Sequence, residues 1–390
     1  MDCDVIIIGG GPVGASLALA LCAAQLRVAL IEARALRQSG KKAPSWDARI
    51  YALSPGSAAF LETLGVWRRL DAARIQRVED MRVFGDDAVS ELDFSAYETG
   101  LRELAFILEN RELQRALWEA LQEAPDIECI VPAACAALVW TPEAVELTLA
   151  DGRTLRARLV VGADGADSWV RAQAKLETML HPYHQRAVVA NFSIAKPHRD
   201  TAFQWFRRDG VLALLPLPGE RVSMVWSTTE VHAAHLLALE AEALAAEVAA
   251  AGRRALGELQ VITKAAAFPL CLQRARQFVA PRVALAGDAA HSVHPLAGQG
   301  VNLGLRDVRE LTQVLTRRGP QYDCGDFYLL RRYERARRED VLATQLTTDV
   351  LHRLFNRAPH GRFSGARNLG LRLVNRGAHL KSLLVQHAVM

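Results

Sequence analysis

A glycine-rich run near the start of the chain has the pattern of a phosphate-binding turn. Gly9-Gly10-Gly11-Pro12-Val13-Gly14 fits G-x-G-x-x-G between an apolar run and a stretch of small residues, and Glu32 ends the next apolar run. In this motif the first glycine permits a tight turn, the second lets the backbone approach a pyrophosphate, and the third lets helix and strand pack closely. The helix N-terminus supplies free N–H groups for the phosphates, and Glu32 can accept hydrogen bonds from an adenosine ribose. The pattern predicts a dinucleotide site but does not distinguish FAD from NAD, and a merely structural turn is the alternative.

Two later segments also combine a strand, glycines and an acidic residue. Residues 159–171 read LVVGADGADSWVR, and residues 282–304 read RVALAGDAAHSVHPLAGQGVNLG. A carboxylate at a strand end can accept from sugar-alcohol hydroxyls, and glycines that open a helix present N–H donors to a negatively charged ring edge. The candidate binding residues in these two segments are Asp164, Gly165, Gly287, Asp288, Pro295, Gly298, Gln299, Gly300, Val301 and Asn302.

The elements that must position these residues can be predicted from hydrophobic patterning. Residues 3–8 and 27–32 are short apolar runs typical of buried strands, and the small residues from Pro12 to about Gln25 predict a helix between them, which makes a βαβ unit. The middle of the chain differs, because short β-rich segments separated by Gly, Pro or charge predict an antiparallel sheet. These segments are residues 187–194, 201–206, 211–215 and 221–227, and an Ala/Leu/Glu-rich helical stretch follows at 232–256.

We therefore expect an α/β protein with a Rossmann-like lobe and a second α+β lobe built on the antiparallel sheet. The Rossmann-like lobe is discontinuous because its strand and glycine patterns return late in the chain. The expected limits are 1–75, 100–175 and 275–345 for the first lobe, 76–99 and 176–274 for the second, and 346–390 for basic amphipathic C-terminal helices.

Composition sets further limits on the function. At 390 residues the chain is long enough for two packed lobes, and 51% hydrophobic residues, 23% charged residues and a net charge of +4 are typical of a globular enzyme. This balance argues against a nucleic-acid partner. The six cysteines show no paired short spacing, and the chain starts directly in an apolar run. No apolar stretch reaches the roughly 20 residues that are needed to span a bilayer. We expect a cytoplasmic location and no membrane span.

The three segments together, with Asp47-Ala48-Arg49 and Ala52-Leu53-Ser54 between the first two, resemble the FAD-dependent aromatic hydroxylases related to 4-hydroxybenzoate hydroxylase. Within that family the chain is most similar to the ubiquinone-biosynthesis hydroxylases. The similarity covers essentially the whole chain, including the tail NLGLRLVNRGAHLKSLLVQHA. The resemblance implies a glutathione-reductase-type FAD lobe, FAD as the cofactor, NADH or NADPH as co-substrate, and dioxygen as the oxidant.

The resemblance also implies roles for individual residues. Asp288 binds the ribityl chain of FAD, Asp164-Gly165 serves both the flavin and the nicotinamide nucleotide, and Gly298 to Gly300 lie against the flavin pyrimidine ring. Arg111 lies near the FAD phosphates and Arg49 faces the flavin, although a solvated surface role is the ordinary alternative for an arginine.

The candidate catalytic residues are His294 and Pro295. Pro295 shapes the cavity over the flavin ring, and either His291 or His294 can transfer a proton near neutral pH. For both histidines a loop-ordering hydrogen bond is an equal alternative. A metal site is not expected, since His181 and His184 lack a third ligand in register.

The implied reaction is hydroxylation of a phenolic ring, with a polyprenylated phenol or benzoquinol as substrate. In this cycle NADH or NADPH reduces FAD, and dioxygen adds at C4a of the reduced flavin before oxygen transfer to the ring. The ring pocket is expected on the sheet of the second lobe, around Trp205, Leu214, Pro216 and Trp226, although each of these aromatic residues taken singly is more often core than a substrate contact. The basic amphipathic tail can rest on an anionic membrane surface, on a partner of a ubiquinone-biosynthesis complex, or on the enzyme body.

Three other functions stay open. The enzyme could hydroxylate a small soluble aromatic acid, which would require a cationic carboxylate clamp. The chain could instead be a catalytically silent flavin-binding subunit of a biosynthetic complex, or a flavin reductase that saturates isoprenoid double bonds.

Overall fold

The computed structural model describes residues 1–35, 45–85, 90–207, 209–292, 299–319 and 321–356. The strands, numbered in chain order, are β1 (Val5–Ile8), β2 (Val28–Ile31), β3 (Ile50–Leu53), β4 (Gln76–Val78), β5 (Asp80–Phe84), β6 (Glu91–Ser95), β7 (Ala105–Glu109), β8 (Ile127–Ile130), β9 (Cys135–Trp140), β10 (Val145–Leu149), β11 (Thr154–Ala157), β12 (Leu159–Gly162), β13 (Thr178–Ile194), β14 (Thr201–Arg207), β15 (Gly210–Leu217), β16 (Arg221–Thr229), β17 (Leu259–Val261), β18 (Ala266–Ala275), β19 (Val279–Ala280), β20 (Val283–Leu285) and β21 (His291–Ser292). The helices are α1 (Pro12–Ala23), α2 (Pro55–Thr63), α3 (Asn110–Gln122), α4 (Trp169–Gln173), α5 (Glu230–Ala238), α6 (Ala241–Ala251), α7 (Gln299–Thr316) and α8 (Phe327–Asn356).

The parallel sheet collects strands from distant parts of the chain. Within the described residues its order is β19-β20-β12-β1-β2-β8, and every neighbouring pair except β19 and β20 is parallel. Every residue of β1, β2 and β12 is buried, because parallel strands of this kind are covered on both faces. The carboxyl ends of β1, β2, β12 and β20 meet at one edge, which is where open parallel sheets bind their ligands.

The large sheet is mainly antiparallel and has the order β21-β18-β13-β16-β15-β14-β5-β6, with β17 paired to β13. Two of its strands come from the first third of the chain: β5 pairs with β14 in parallel, and β6 pairs with β5 in the antiparallel direction. One face of the sheet packs its large apolar side chains against α5 and α6. The other face turns toward the parallel sheet and is lined by smaller side chains.

A small sheet in the order β3-β7-β4 lies between these two sheets. Its residues Val78 and Ile107 form an apolar cluster with Ala202 and Leu217 of the large sheet. The β9-β10-β11 meander packs Leu138, Val145 and Leu147 into the core of the parallel sheet. The segments that carry the glycines and acids are therefore held by packing on several sides.

The predicted fold class is confirmed: an α/β fold with a Rossmann-type parallel sheet and a second, antiparallel sheet. The helical stretch predicted at 232–256 consists of two helices, α5 and α6, separated at Leu239 and Glu240. Most of the C-terminal segment predicted as amphipathic helices lies outside the described residues, which end within it at Asn356. No helix in the described part of the chain has both the length and the apolar character needed to cross a membrane.

Candidate active site

The first glycine turn connects β1 to α1 with very little room for side chains. Gly9 has φ +108°, and a Cβ there would lie 2.4 Å from the carbonyl oxygen of Ala163. A Cβ on Gly14 would lie 1.9 Å from the carbonyl oxygen of Gly9, so helix and strand can approach only when this residue is glycine. Gly11 differs, because no described atom lies within 4 Å of its Cβ position and the residue faces open space. That space is where the positive end of α1 points.

The Glu32 carboxylate lies at the end of β2, next to this turn. Its Oε2 accepts a hydrogen bond from the Gly10 amide at 2.7 Å, and its Oε1 accepts from the Arg34 amide at 2.9 Å. The buried indole of Trp118 on α3 donates to the Gly10 carbonyl at 3.1 Å. Trp118 was missed in the sequence, although it lies two helical turns after Arg111 and so shares a helix face with it.

The second segment places an unsatisfied carboxylate oxygen at the end of β12. Asp164 Oδ2 accepts from the Val170 amide at 3.1 Å and so caps the turn that leads to α4. Its other oxygen, Oδ1, is buried and has no hydrogen-bond partner among the described residues. Gly165 follows with φ +87°, a conformation that glycine adopts at little cost. A buried acceptor of this kind is costly unless a ligand satisfies it.

Asp288 follows β20 and projects into the same space. Water can reach its side chain, but protein surrounds it on most sides, and this desolvation raises its pKa, opposed by the nearby charges of His291 and Arg49. Among the described residues, no donor forms a hydrogen bond with this carboxylate. Asp288 is therefore a second acceptor without a partner, at the carboxyl end of a neighbouring strand.

A buried charge network holds the Asp288 turn from below. Asp307 on α7 accepts from the Gly287 amide and from His291 Nε2, both at 2.8 Å, and from Arg337 Nε of α8 at 2.7 Å. Burial alone would raise the pKa of Asp307, but His291 and Arg337 outweigh it and the pKa is lowered. His291 is 2% exposed and does not line the cavity described below. Of the two roles left open for His291, the structure shows the loop-ordering hydrogen bond.

The two candidate arginines occupy different surroundings. Arg49 is exposed to the cavity, with its guanidinium 5.7 Å from the centre of the Tyr51 ring. Arg111 at the start of α3 bonds the Ser45 hydroxyl and the carboxylate of the buried Glu109, at 3.3 Å and 3.2 Å. Arg111 therefore orders the segment around Ser45 as well as lining the cavity.

The third segment places the start of α7 against β3. Asn302 is buried, and its side-chain amide accepts from the Ser54 amide and donates to the Ala52 carbonyl, both at 2.9 Å. This bridge positions Gly300 and Val301, which line the cavity at the N-terminal end of the helix. Gln299 is the first residue of α7, whereas His294, Pro295 and Gly298 lie outside the described residues.

Glu32, Asp164, Asp288 and the first turns of α1 and α7 all open into one cavity of about 2330 Å³. A site for one drug-sized ligand is about 300–1,000 Å³, so this space can hold a dinucleotide and a second molecule together. Gly14 and Gly287 lie behind its wall. The predicted binding residues that line it are Gly9, Gly11, Pro12, Val13, Glu32, Arg49, Arg111, Asp164, Gly165, Asp288, Gly300, Val301 and Asn302.

The opposite wall, which we call the floor, is a face of the large sheet. Val189, Val225, Ala213 and Gln204 follow one another across four neighbouring strands, β13, β16, β15 and β14, and all four line the cavity. The guanidinium groups that line the cavity, those of Arg34, Arg49, Arg111 and Arg115, come from elements outside this sheet.

The ring pocket predicted around Trp205, Leu214, Pro216 and Trp226 is wrong, because none of these residues lines the cavity. Successive residues of a strand point to opposite faces, and Trp205, Leu214 and Trp226 are on the face that packs against α5 and α6. The alternative, that these aromatic residues are core, is correct. Their neighbours with small side chains form the floor.

A Rossmann-type parallel sheet with acids at its strand ends, open to a large cavity floored by a second sheet, is the architecture of a dinucleotide-binding enzyme with room for a second molecule. The model of the "FAD binding domain" family matches residues 2–346. The chain belongs to this family, which confirms the predicted cofactor, FAD.

Curated relatives and a solved structure agree with this assignment. The chain is 37% identical to "Ubiquinone hydroxylase UbiL" of Rhodospirillum rubrum, over 99% of this chain and 89% of the relative. It is 36% identical to "3-demethoxyubiquinol 3-hydroxylase" of Escherichia coli, over 99% of this chain and 98% of the relative. PqsL, "a probable FAD-dependent monooxygenase from Pseudomonas aeruginosa", has the same fold, with a TM-score of 0.78 at 24% identity over 95% of this chain and 99% of that one. The predicted resemblance and the predicted enzyme class, an FAD-dependent hydroxylase, are confirmed.

Proposed function

We propose that this protein hydroxylates the aromatic ring of a polyprenylated phenol or benzoquinol in ubiquinone biosynthesis, with FAD, dioxygen and NADH or NADPH. The observation that carries the proposal is the single cavity with a nucleotide-type wall on one side and an apolar floor on the other. The two curated relatives support it, because both are named for hydroxylation of ubiquinone or a ubiquinol precursor.

The residues of the first wall fit FAD. In the proposed arrangement the open space at Gly11 and the N-terminus of α1 take the pyrophosphate. Glu32 accepts two backbone N–H groups, and a carboxylate has about four acceptor sites, so capacity remains for ribose hydroxyls.

Asp164 and Asp288 supply acceptors at the centre of the site. Asp164 Oδ1 and the Asp288 carboxylate lack partners among the described residues, and the proposal assigns them to flavin hydroxyls, with Asp288 on the ribityl chain. The amides that open α7 at Gly300 and Val301 would face the flavin pyrimidine edge. Bound FAD supplies the electron transfer from the nicotinamide to dioxygen. The chain orients the ring on the floor and keeps water out.

The floor favours an apolar substrate over a small aromatic acid. Its strands present Ala187, Val189, Ala213, Leu215 and Val225 to the cavity, while the lining guanidinium groups belong to other elements. A carboxylate on these strands would lose hydration, which is costly, and none of the described residues of the large sheet that line the cavity is a cation. Phe268, 44% exposed, lines the cavity on β18 and offers an apolar surface to a polyprenyl tail. Delivery of such a substrate by a membrane or a biosynthetic partner is part of the proposal.

We also propose that the two lobes have the limits expected from the sequence. The FAD-binding part comprises residues 1–75, 100–175 and 275–345, and the substrate-binding part comprises residues 76–99 and 176–274.

A substrate series tests the proposal. NADH and NADPH oxidation and product mass are followed for phenols with no isoprene unit, one unit and two units, and for small aromatic acids. Because each buried methylene contributes about 0.8 kcal/mol, the first isoprene unit is expected to raise kcat/KM by at least about tenfold. Hydroxylation of the small acids alone would overturn the assignment. Flavin-containing protein that consumes no oxygen with any phenol would indicate a silent subunit. Reduction of an isoprenoid double bond would indicate a reductase.

A further inference from the structure

Gln204 is a polar side chain on the otherwise apolar floor. It lies in the middle of β14, is 8% exposed, and lines the cavity. Its backbone pairs with Ala213 on β15 and with Val83 on β5. Its side-chain amide forms no hydrogen bond with any residue that the structure describes, although an amide offers two donor hydrogens and an acceptor oxygen.

Gln204 is mostly buried by its neighbours, yet its side chain still reaches the cavity. Two neighbours on the same face are small, since Ala213 is directly opposite Gln204 and Ala202 lies two positions earlier on β14, whereas Val83 on β5 and Phe206 two positions later form an apolar cluster on the other side. The amide therefore borders open cavity, where a bound molecule can reach it.

The position of Gln204 on the floor is defined by the strand order. β21 follows directly after the Asp288 turn and pairs with β18 at one edge of the large sheet. From there the order is β18, β13, β16, β15 and β14, so Gln204 lies five strands away from that edge, with β5 and β6 beyond it. With strands about 4.8 Å apart, the row from Val189 to Gln204 spans about 14 Å, which is longer than one aromatic ring.

We propose that Gln204 is a specificity-determining residue that hydrogen-bonds an oxygen substituent of the substrate ring. The ring rests on Ala213 and Val225, with this oxygen at Gln204 and the opposite edge toward the Asp288 side of the cavity. A neutral amide can donate to a methoxyl or quinone oxygen and can accept from a phenol hydroxyl. Gln204 thus selects an oxygenated ring without requiring a carboxylate. This inference rests on the proposed function, since it assumes that a phenolic ring occupies the floor.

Binding of matched probes to the FAD-loaded enzyme tests the inference. Three prenylated probes are titrated by the change in flavin absorbance: a phenol, its methyl ether, and the benzene that lacks the oxygen. Wild-type enzyme is expected to bind the phenol and the ether about tenfold more tightly than the benzene. Gln204→Met, which keeps length but removes the amide, is expected to bind all three equally. Gln260→Met, at an exposed position on β17 of the same sheet, is the matched control and should behave like wild type.

A second variant makes the contact chemically specific. Gln204→Glu keeps an acceptor but, when ionised, has no donor, so it should retain the preference for the phenol and lose the preference for the ether. Flavin content and thermal unfolding are measured for each variant, and Gln204→Met is expected to be about as stable as wild type, because methionine has a similar length and the amide forms no hydrogen bond with the described residues. A tenfold preference that persists in Gln204→Met, or is absent from wild-type enzyme that binds all three probes, would overturn the role of Gln204. Wild-type enzyme that binds none of the probes would instead overturn the proposed function.

Discussion

Replacement of Asp288 by asparagine should have opposite effects on FAD binding and on the stability of the apoprotein. Desolvation raises the pKa of Asp288, so ionisation of this group costs more in the folded protein than in the unfolded chain. This destabilisation is absent at pH values below the pKa of Asp288 in the unfolded chain and fully present above its pKa in the folded protein. At neutral pH Asp288→Asn removes it, and the apoprotein should become more stable.

The same change should weaken FAD binding. A hydrogen bond to a charged acceptor contributes about 1.5–3 kcal/mol, and one to a neutral acceptor contributes about 0.5–1.5 kcal/mol. A loss of about 1–1.5 kcal/mol for each hydrogen bond to a ribityl hydroxyl raises the Kd for FAD about 5- to 12-fold when one bond is weakened. When two bonds are weakened, the Kd rises by the square of that factor.

Titration of apoprotein with FAD by fluorescence quenching measures the Kd, and thermal unfolding of the apoprotein measures stability. Asp151→Asn, on the exposed turn between β10 and β11, is the control and should leave FAD binding unchanged. An FAD Kd within twofold of wild type, or an apoprotein that unfolds at a lower temperature, would refute the assignment of Asp288.

Three further predictions follow from the same geometry. Gly14→Ala places a methyl group 1.9 Å from the Gly9 carbonyl oxygen, so it should lower both stability and flavin content. Gly11→Ala meets no described atom and should reduce flavin content alone. Unfolding curves measure the stability of each variant, and absorbance spectra measure its flavin content. Asp307→Asn breaks a buried charge network and should cost about 3–5 kcal/mol in urea unfolding. Because the pKa of Asp307 is lowered, its stabilising contribution is present above the unfolded pKa and lost as pH falls through the folded value, so the difference between wild type and variant should shrink in acid. Ala213→Phe places a large ring on the floor, where the substrate ring is proposed to lie. Flavin content should stay unchanged, while kcat/KM for a prenylated phenol should fall at least about tenfold, equivalent to about 1.4 kcal/mol. A kcat/KM equal to that of wild type would contradict the position of the ring.

The fold and the acids at the strand ends could be predicted from sequence because each depends on a local pattern. Short buried strands, the small residues of α1, the glycines after β1 and the acids after β2, β12 and β20 are all visible in consecutive residues. The parallel arrangement then brings the carboxyl ends of distant strands to one edge, since βαβ units place strands side by side. Glu32, Asp164 and Asp288 needed no knowledge of long-range contacts.

Other parts of the site depend on contacts between segments that carry no shared pattern. Asp307 and Arg337 lie on different helices, and nothing in either helix sequence indicates that they meet beneath Gly287. The sequence also does not show which face of the large sheet lines the cavity. Large aromatic residues suggested a ring pocket, but the residues between them face the cavity, and alternation alone does not show which face of a strand is covered by helices. Gln204 was visible only as a polar residue inside an apolar strand.

The most direct test of a ring bound between FAD and the floor is oxygen transfer itself. Purified, FAD-loaded enzyme is given NADPH, ¹⁸O₂ and a phenol with two isoprene units, and the product is analysed by mass spectrometry. The structure predicts one ¹⁸O atom in the ring of the prenylated product, with NADPH oxidation coupled to its formation. A product whose new oxygen comes from water, or NADPH oxidation that yields only hydrogen peroxide with every prenylated phenol, would contradict it.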